Sequence, residues 1–147
     1  MAVAGYFLDQ VTKGWAQQAL SLGREIPVVS DLVIFTLFYN SGAAFSFGEK
    51  FTFYISVFAI FVLAVLVIIN LFRVWDWLQA IAVGLLMAGV GGNLHDRIFN
   101  DPKPFYGQVV DFISIKNFAV CNVADVMIVV AAVLIVLWTI ITELRRR

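Results

Sequence analysis

The sequence predicts an α-helical polytopic membrane protein, with four transmembrane helices, a small stranded element and a short segment on the outer side. Two observations carry this reading. Of the 147 residues, 62% are hydrophobic and 14% are charged, and the mean hydropathy is +0.93; soluble domains run nearer half apolar and a quarter charged. The apolar residues are also gathered into runs of about 20, the length a helix needs to cross a hydrocarbon core of about 30 Å. A chain of this length fits one membrane-embedded domain, 1–147. Disorder is excluded, because so apolar a chain cannot stay solvated. Ten basic and ten acidic residues balance, so no nucleic-acid partner is expected. The single cysteine, Cys121, excludes an intrachain disulfide and a cysteine-based zinc site.

The spans fall at about 2–22, 51–72, 78–97 and 118–142. The first carries Asp9, Gln10, Thr12 and Lys13 in its middle, so it reads as a membrane helix with one polar face. It lacks the basic start and uninterrupted apolar run of a signal peptide. With only eight residues before Asp9, this helix looks short at its start, and a natural chain that begins earlier is expected. The second span has no charge until Arg73 stops it. The third follows the short polar turn Arg73-Val74-Trp75-Asp76, and the fourth ends at Glu143 and the Arg145-Arg146-Arg147 cluster. Four spans put both termini on one side. The positive-inside rule places Arg73 and the arginine cluster in the cytoplasm, against Arg24, Lys50, Lys103 and Lys116 outside. The two longer connections, 23–50 and 99–117, then share the outer side. The first holds Glu25-Ile26-Pro27-Val28-Val29 and the β-branched and aromatic stretch 32–39, which predict a strand pair at the membrane surface. Trp15, Trp75, Trp77, Trp138, Tyr39, Tyr54 and Tyr106 lie near span ends, as interface aromatics should. Gly84, Ala88, Gly91 and Gly92 recur at helical spacing and let a neighbouring helix come close.

Polar residues within apolar spans are costly and mark functional paths or sites. Asp9 and Lys13 stand at i, i+4 on one helix face, which an orienting ion pair explains. Asn40-Ser41-Gly42-Ala43-Ala44-Phe45-Ser46 reads equally as a turn or as small residues admitting a substrate backbone. Gly91-Gly92-Asn93-Leu94-His95-Asp96-Arg97 places Asn93 and Arg97 on one face. Arg97 is fit to clamp an anionic or carbonyl group, or to pair with Asp96 at the interface. His95 has no second His or Cys to build a metal site and reads as a surface or packing residue. Asp111, in Val109-Val110-Asp111-Phe112, precedes the last span, and Asp125, in Asn122-Val123-Ala124-Asp125, lies inside it. Two acids at one depth cannot both ionise cheaply, so they can share one proton and serve as general base and general acid. The plainer alternative is that one of them pairs with Arg97 or Lys13.

These five motifs, in this order over residues 9–125, resemble the lipoprotein signal peptidase (signal peptidase II) family of bacterial inner-membrane aspartic proteases. The resemblance implies that Asp111 and Asp125 are the catalytic pair. It implies that Asn40, Gly42, Asn93, Arg97 and Asn122 line the substrate site, with Asp9, Lys13 and Asp96 in structural support. The expected reaction is hydrolysis of a diacylglyceryl-modified prolipoprotein on the amino side of its lipidated cysteine, releasing the signal peptide. No metal or cofactor is implied. The expected partners are that substrate and membrane lipid, and the expected state is a monomer in the bacterial inner membrane, its active site facing the periplasm or outer surface. The strands before Asn40 resemble the family's outer-surface cradle, and residues 99–108 its mobile periplasmic segment. Two features depart from the family pattern: the short N-terminus, and a tight link of 13 residues between Asp111 and Asp125. A small proton-coupled transporter using intramembrane Asp, Arg and Asn is the alternative from another class, and a non-catalytic assembly or lipid-binding protein is a third.

Overall fold

The computed structural model of the chain describes residues 1–42, 48–73 and 76–146. Ala43, Ala44, Phe45 and Ser46 of the second motif, Val74 and Trp75 of the polar turn, and Arg147 lie outside the described residues. The elements run α1 (Ala2–Ala19), β1 (Ile26–Val29), β2 (Val33–Asn40), α2 (Gly48–Phe72), α3 (Trp77–Phe99), β3 (Val109–Ile115), β4 (Val120–Cys121) and α4 (Val123–Arg146). Among the described residues, three stretches are long and apolar enough to cross a membrane: Phe51–Phe72, Trp77–Phe99 and Val123–Arg146.

The burial pattern is inverted relative to a water-soluble domain. Among the described residues, Asp9, Lys13, Asp96, Asp111 and Asn122 are buried, while Phe58, Phe61, Leu71 and Phe72 of α2 and Val129, Val133 and Val136 of α4 are exposed. Water would penalise so much exposed apolar surface, whereas hydrocarbon does not. α3 is the central helix and packs against α1, α2 and α4. Its start is fixed by a capping box: Gln79 N–H donates to the Asp76 carboxylate at 2.9 Å, and the Gln79 side chain accepts from Asp76 N–H. Trp138 of α4 donates its indole N–H to the same carboxylate at 2.6 Å, locking α4 to the α3 start.

Small residues set the helix spacing. A side chain at Gly84 would meet Met1 Cβ at 2.7 Å, and one at Gly5 would meet Ala88 Cβ at 2.7 Å. At Gly92 it would collide with the Asp9 carboxylate, whose Cγ lies 3.0 Å away. Gly91, grouped with Gly92 by spacing, faces nothing within 4 Å among the described residues. Gly89, not singled out by the spacing, packs on Ile128 of α4.

The expected strand pair forms, but it is half of a larger element. The sheet is four-stranded and antiparallel in the order β1-β2-β3-β4. Two expectations are corrected here. Residues 99–117 are not simply a loop, because 109–115 form β3; and the last helix starts at Val123 rather than near 118. β3 turns at Ile115, where Phe118 N–H donates to the Ile115 carbonyl at 2.9 Å and Asn117 takes φ 62°. Asn tolerates that left-handed backbone, so the chain reverses and Val120 and Cys121 pair with Ser114 and Ile113. The 13-residue link between Asp111 and Asp125 is this hairpin. α1 likewise ends at Ala19, short of 22; the second span, Phe51–Phe72, is the one expected, within a helix that starts at Gly48.

Gly92→Ala is expected to lower the melting temperature in detergent by roughly 3–10 °C, since overpacking costs about 1–3 kcal/mol and each kcal/mol moves a chain of this size by several degrees. Gly91→Ala is expected to leave it within about 1 °C. Equal effects of the two would contradict the packing described.

Candidate active site

A buried ammonium organises the polar interior. Lys13 Nζ lies 2.8 Å from Asp9 Oδ2, 2.9 Å from Asp96 Oδ2 and 3.0 Å from Asn93 Oδ1, so all three of its protons have acceptors. The expected Asp9–Lys13 pair is present, whereas the interfacial Asp96–Arg97 pair is not the contact Asp96 makes. Each carboxylate also receives a backbone proton from another element. Ala124 N–H of α4 donates to Asp9 Oδ1 at 2.9 Å, and Val110 N–H of β3 donates to Asp96 Oδ2 at 3.0 Å. Gln10 adds a bond to Asp96 Oδ1 at 3.3 Å.

Around this cluster the two remaining acids come together. In β3, Val110 and Phe112 point into an apolar core with Ala16 of α1, Leu20 just beyond its end and Leu37 of β2. Alternation then sends Asp111 to the other face of the strand. β2 shifts its register by one residue between Phe35 and Phe38, which pairs Asn40 with Val109 and puts the Asn40 side chain on the Asp111 face. Asn40 Nδ2 donates to Asp111 Oδ2 at 2.9 Å, and Asn122 Nδ2 donates to Asp111 Oδ1 at 2.6 Å.

Asp125 lies inside the last span, as expected, in the first turn of α4. Asn122 and Asp125 form a reciprocal cap: Asp125 N–H donates to Asn122 Oδ1 at 3.0 Å, and Asn122 N–H donates to Asp125 Oδ2 at 3.1 Å. The other carboxylate oxygen accepts from Asn93 Nδ2 at 2.8 Å. Asn122 therefore touches both acids, and its Nδ2 also donates to Asn93 Oδ1 at 3.1 Å. Asp111 and Asn122 are buried, while Asp125, Asn93, Asn40 and Gly42 are partly open. Neither Asp111 nor Asp125 forms an ion pair with Arg97 or Lys13, the alternative left open by the sequence.

Burial pushes the Asp111 carboxyl up to about 6; the Asn40 hydrogen bond opposes the shift, the nearby Asp125 charge adds to it, and the Asn122 bond opposes it again. Burial likewise pushes up the Cys121 thiol in β4, with the charges of Asp125 and Asp111 adding to it.

Arg97 is buried, with Asp111, Asp125 and Asp96 in electrostatic reach, yet its Nη1 has no hydrogen-bond partner among the described residues. It lies beside Gly42, whose backbone holds φ +83°; a side chain there would stand 3.6 Å from Nη1 and 3.1 Å from Ile55. Asn40 Oδ1 accepts from Gly42 N–H at 2.8 Å, tightening this turn. Two buried polar residues of α2 went unnoticed inside an otherwise apolar run. Thr52 donates to the Ser41 carbonyl, and Ser56 Oγ donates to the Phe105 carbonyl at 2.9 Å. Thr52 thus ties α2 to Ser41, while Ser56 and the Phe53–Tyr106 ring stack at 5.6 Å bind it to residues 99–108. The i, i+4 spacing of Thr52 and Ser56 was the only available signal. His95 accepts from or donates to the Tyr6 hydroxyl at 2.8 Å and packs on Phe99, away from the acids. No group of three or more His, Cys, Asp or Glu among the described residues is arranged to hold a metal ion.

The model of the family described as signal peptidase (SPase) II matches residues 1–141. A lipoprotein signal peptidase of Streptomyces coelicolor is 44% identical over 139 residues, which are 93% of this chain and 67% of that protein. The lipoprotein signal peptidase of Mycolicibacterium smegmatis is 39% identical over 92% of this chain and 57% of its own length. Two solved bacterial membrane enzymes, determined by the in meso method, share the fold. The first, at 2.3 Å, gives a TM-score of 0.85 at 26% identity over 99% of this chain and 88% of that one. The second, at 1.9 Å, gives 0.82 at 27% identity over 94% and 88%.

A carboxyl whose pKa is raised by folding stabilises the fold only while protonated, so its contribution is present below about pH 4 and is lost as pH rises through 6. The amide of Asp111→Asn does not titrate. The variant's melting temperature relative to wild type is therefore expected to climb between pH 4 and 7, by the equivalent of on the order of 3 kcal/mol, and then level off. A difference that stays flat across that window, or falls, would show that burial does not raise this group.

Proposed function

Since the chain belongs to the signal peptidase (SPase) II family, we propose that it removes signal peptides from diacylglyceryl-modified prolipoproteins, cutting on the amino side of the lipidated cysteine, with Asp111 and Asp125 as its catalytic pair. The observation that carries this reading is the bridge at Asn122, which holds hydrogen bonds to both carboxylates at once. Two acids held by one side chain are placed to act together, one as general base and one as general acid. In the substrate complex, a water lodged between the acids gives a proton to the ionised carboxylate as it attacks the scissile carbonyl. The protonated partner polarises that carbonyl and then protonates the departing amine. Arg97 Nη1, a buried donor beside the Gly42 turn, supplies a hydrogen bond to a substrate carbonyl. The mechanism runs on carboxylates and needs no metal.

α1 is the fourth span of this reading, its buried Asp9 and Lys13 turned inward to α3. Arg73 and the C-terminal arginines then mark the cytoplasmic side. The acids, on β3 and at the α4 start, lie on the opposite, outer side with the sheet and residues 99–108. The lipidated cysteine of a membrane-anchored substrate sits at that depth, where water can also reach. The chain is placed in the bacterial inner membrane and acts as a monomer.

The test is gel-shift cleavage of a diacylglyceryl prolipoprotein by detergent-purified protein. Asp111→Asn and Asp125→Asn are each expected to lose on the order of 10³-fold or more in rate, and the double variant little further, because groups acting as a unit fail together. A folded single variant that still cuts at a tenth of the wild-type rate overturns the proposal. In the same assay Arg97→Lys is expected to stay impaired by roughly tenfold or more, since an ammonium lacks the planar fork; near-normal cleavage would reduce Arg97 to a generic positive charge.

A further inference from the structure

We infer that Asn93 is a positioning residue for Asp125, aimed by Lys13, rather than a substrate-binding residue; the inference rests on the proposed role of the acid pair. The two ends of an Asn amide differ only in what they can do, and here the neighbours decide which end is which. The atom 3.0 Å from the Lys13 ammonium must be an acceptor, because the ammonium only donates. The same atom accepts from Asn122 Nδ2 at 3.1 Å. Asn122 is itself fixed by a donor-only group: its Oδ1 accepts the Asp125 backbone N–H at 3.0 Å, so its Nδ2 must face Asp111 and Asn93. Asn93 Oδ1 is thereby saturated, and its Nδ2 is forced onto Asp125 Oδ1 at 2.8 Å. Turning the amide over would set its N–H₂ against two donors and its oxygen against a carboxylate, an arrangement with no compensating bond.

The consequence is a chain of command two hydrogen bonds long, from the Lys13 Nζ through the Asn93 amide to the Asp125 carboxylate. Asn93 retains a single N–H proton for any other partner, too little for a residue whose task is to grip a substrate. The charged and titratable groups facing this chain are Asp9 and Lys13 of α1, Asp96 and Arg97 of α3, Asp111 of β3, Cys121 of β4 and Asp125 of α4. A change at Asn93 should therefore disturb the protonation of the acids and the rate of chemistry, and leave substrate affinity alone.

Asn93→Asp tests this, because it keeps the oxygen that Lys13 and Asn122 require and replaces only the N–H₂ that faces Asp125. At neutral pH the new carboxylate offers Asp125 no proton; once protonated at lower pH, it donates an O–H in the same direction. With a diacylglyceryl lipobox peptide, kcat at pH 7 is expected to fall about 100-fold with KM within about twofold, and the pH optimum to move down by at least one unit. Asn93→Ala guards against misfolding of the charged variant: it should show the same kcat loss at unchanged KM, without the acid shift. Thermal unfolding is run on both. A rise in KM with kcat kept, or an unshifted optimum in a folded Asn93→Asp, overturns the inference. Asp125→Asn in the same assay separates the two levels: if it remains active, the catalytic-pair reading fails, and if it is dead while Asn93→Asp behaves as a binding variant, only the positioning role fails.

Discussion

An ammonium buried in a lipid-facing fold has no water to fall back on, and satisfying Lys13 constrains everything near it. Its three protons go to α1 and α3 through Asp9, Asp96 and Asn93. The two carboxylates that neutralise it then recruit α4 through Ala124 N–H and β3 through Val110 N–H. Four elements, far apart in the chain, are tied to one charge. Burying an ion pair is no net gain over apolar packing, but removing one partner strands the others at a cost of several kcal/mol. The cluster thus acts less as a source of stability than as a device that admits one arrangement of its surroundings. Gly92 is the steric counterpart of this device, since a larger residue would occupy the place of the Asp9 carboxylate.

The acid pair is built on this frame with ordinary local chemistry. One acid lies on a strand whose neighbours, Val110 and Phe112, bury themselves against α1 and so force Asp111 to the opposite face. The other belongs to a helix cap, where Asn122 and Asp125 satisfy each other's backbone protons. The cap residue is also the bridge between the acids, so the start of α4 and the spacing of the pair are set by the same side chain. Few free parameters remain: shifting α4 by a residue would break the cap, the Asp9–Ala124 bond and the Asn93–Asp125 bond together. The charges also crowd one end of the bundle, at the α3 terminus and the α4 start. That suits hydrolysis at a membrane surface better than a proton path through the bilayer.

Much of this was legible in the sequence, for physical reasons. Long apolar runs announce membrane helices, and charges inside them announce a site, because hydrocarbon tolerates neither broken backbone nor idle charge. The i, i+4 spacing of Asp9 and Lys13 was enough to expect their contact. β3 escaped because both of its faces are buried, one in an apolar core and one on the polar cluster, so Val109 to Phe112 shows no in–out alternation with solvent. The start of α4 was placed too early because Phe118, Val120 and Cys121 are as apolar as the helix that follows, and only the Asn122 cap marks the boundary. The Asp96–Arg97 pair, one of two readings of that motif, does not form, because the partner of Asp96 is on another helix. Such long-range pairings have no periodicity to betray them.

The central claim is that these acids hydrolyse a peptide bond presented by a lipid-anchored cysteine. The most direct measurement incubates folded, detergent-purified protein with two peptides of identical lipobox sequence, one carrying diacylglyceryl on the cysteine and one with the free thiol, and identifies the products by mass spectrometry. The account predicts a single cut on the amino side of the lipidated cysteine and an intact unlipidated peptide. Both peptides left whole by protein shown to be folded, or both cut alike, would contradict it.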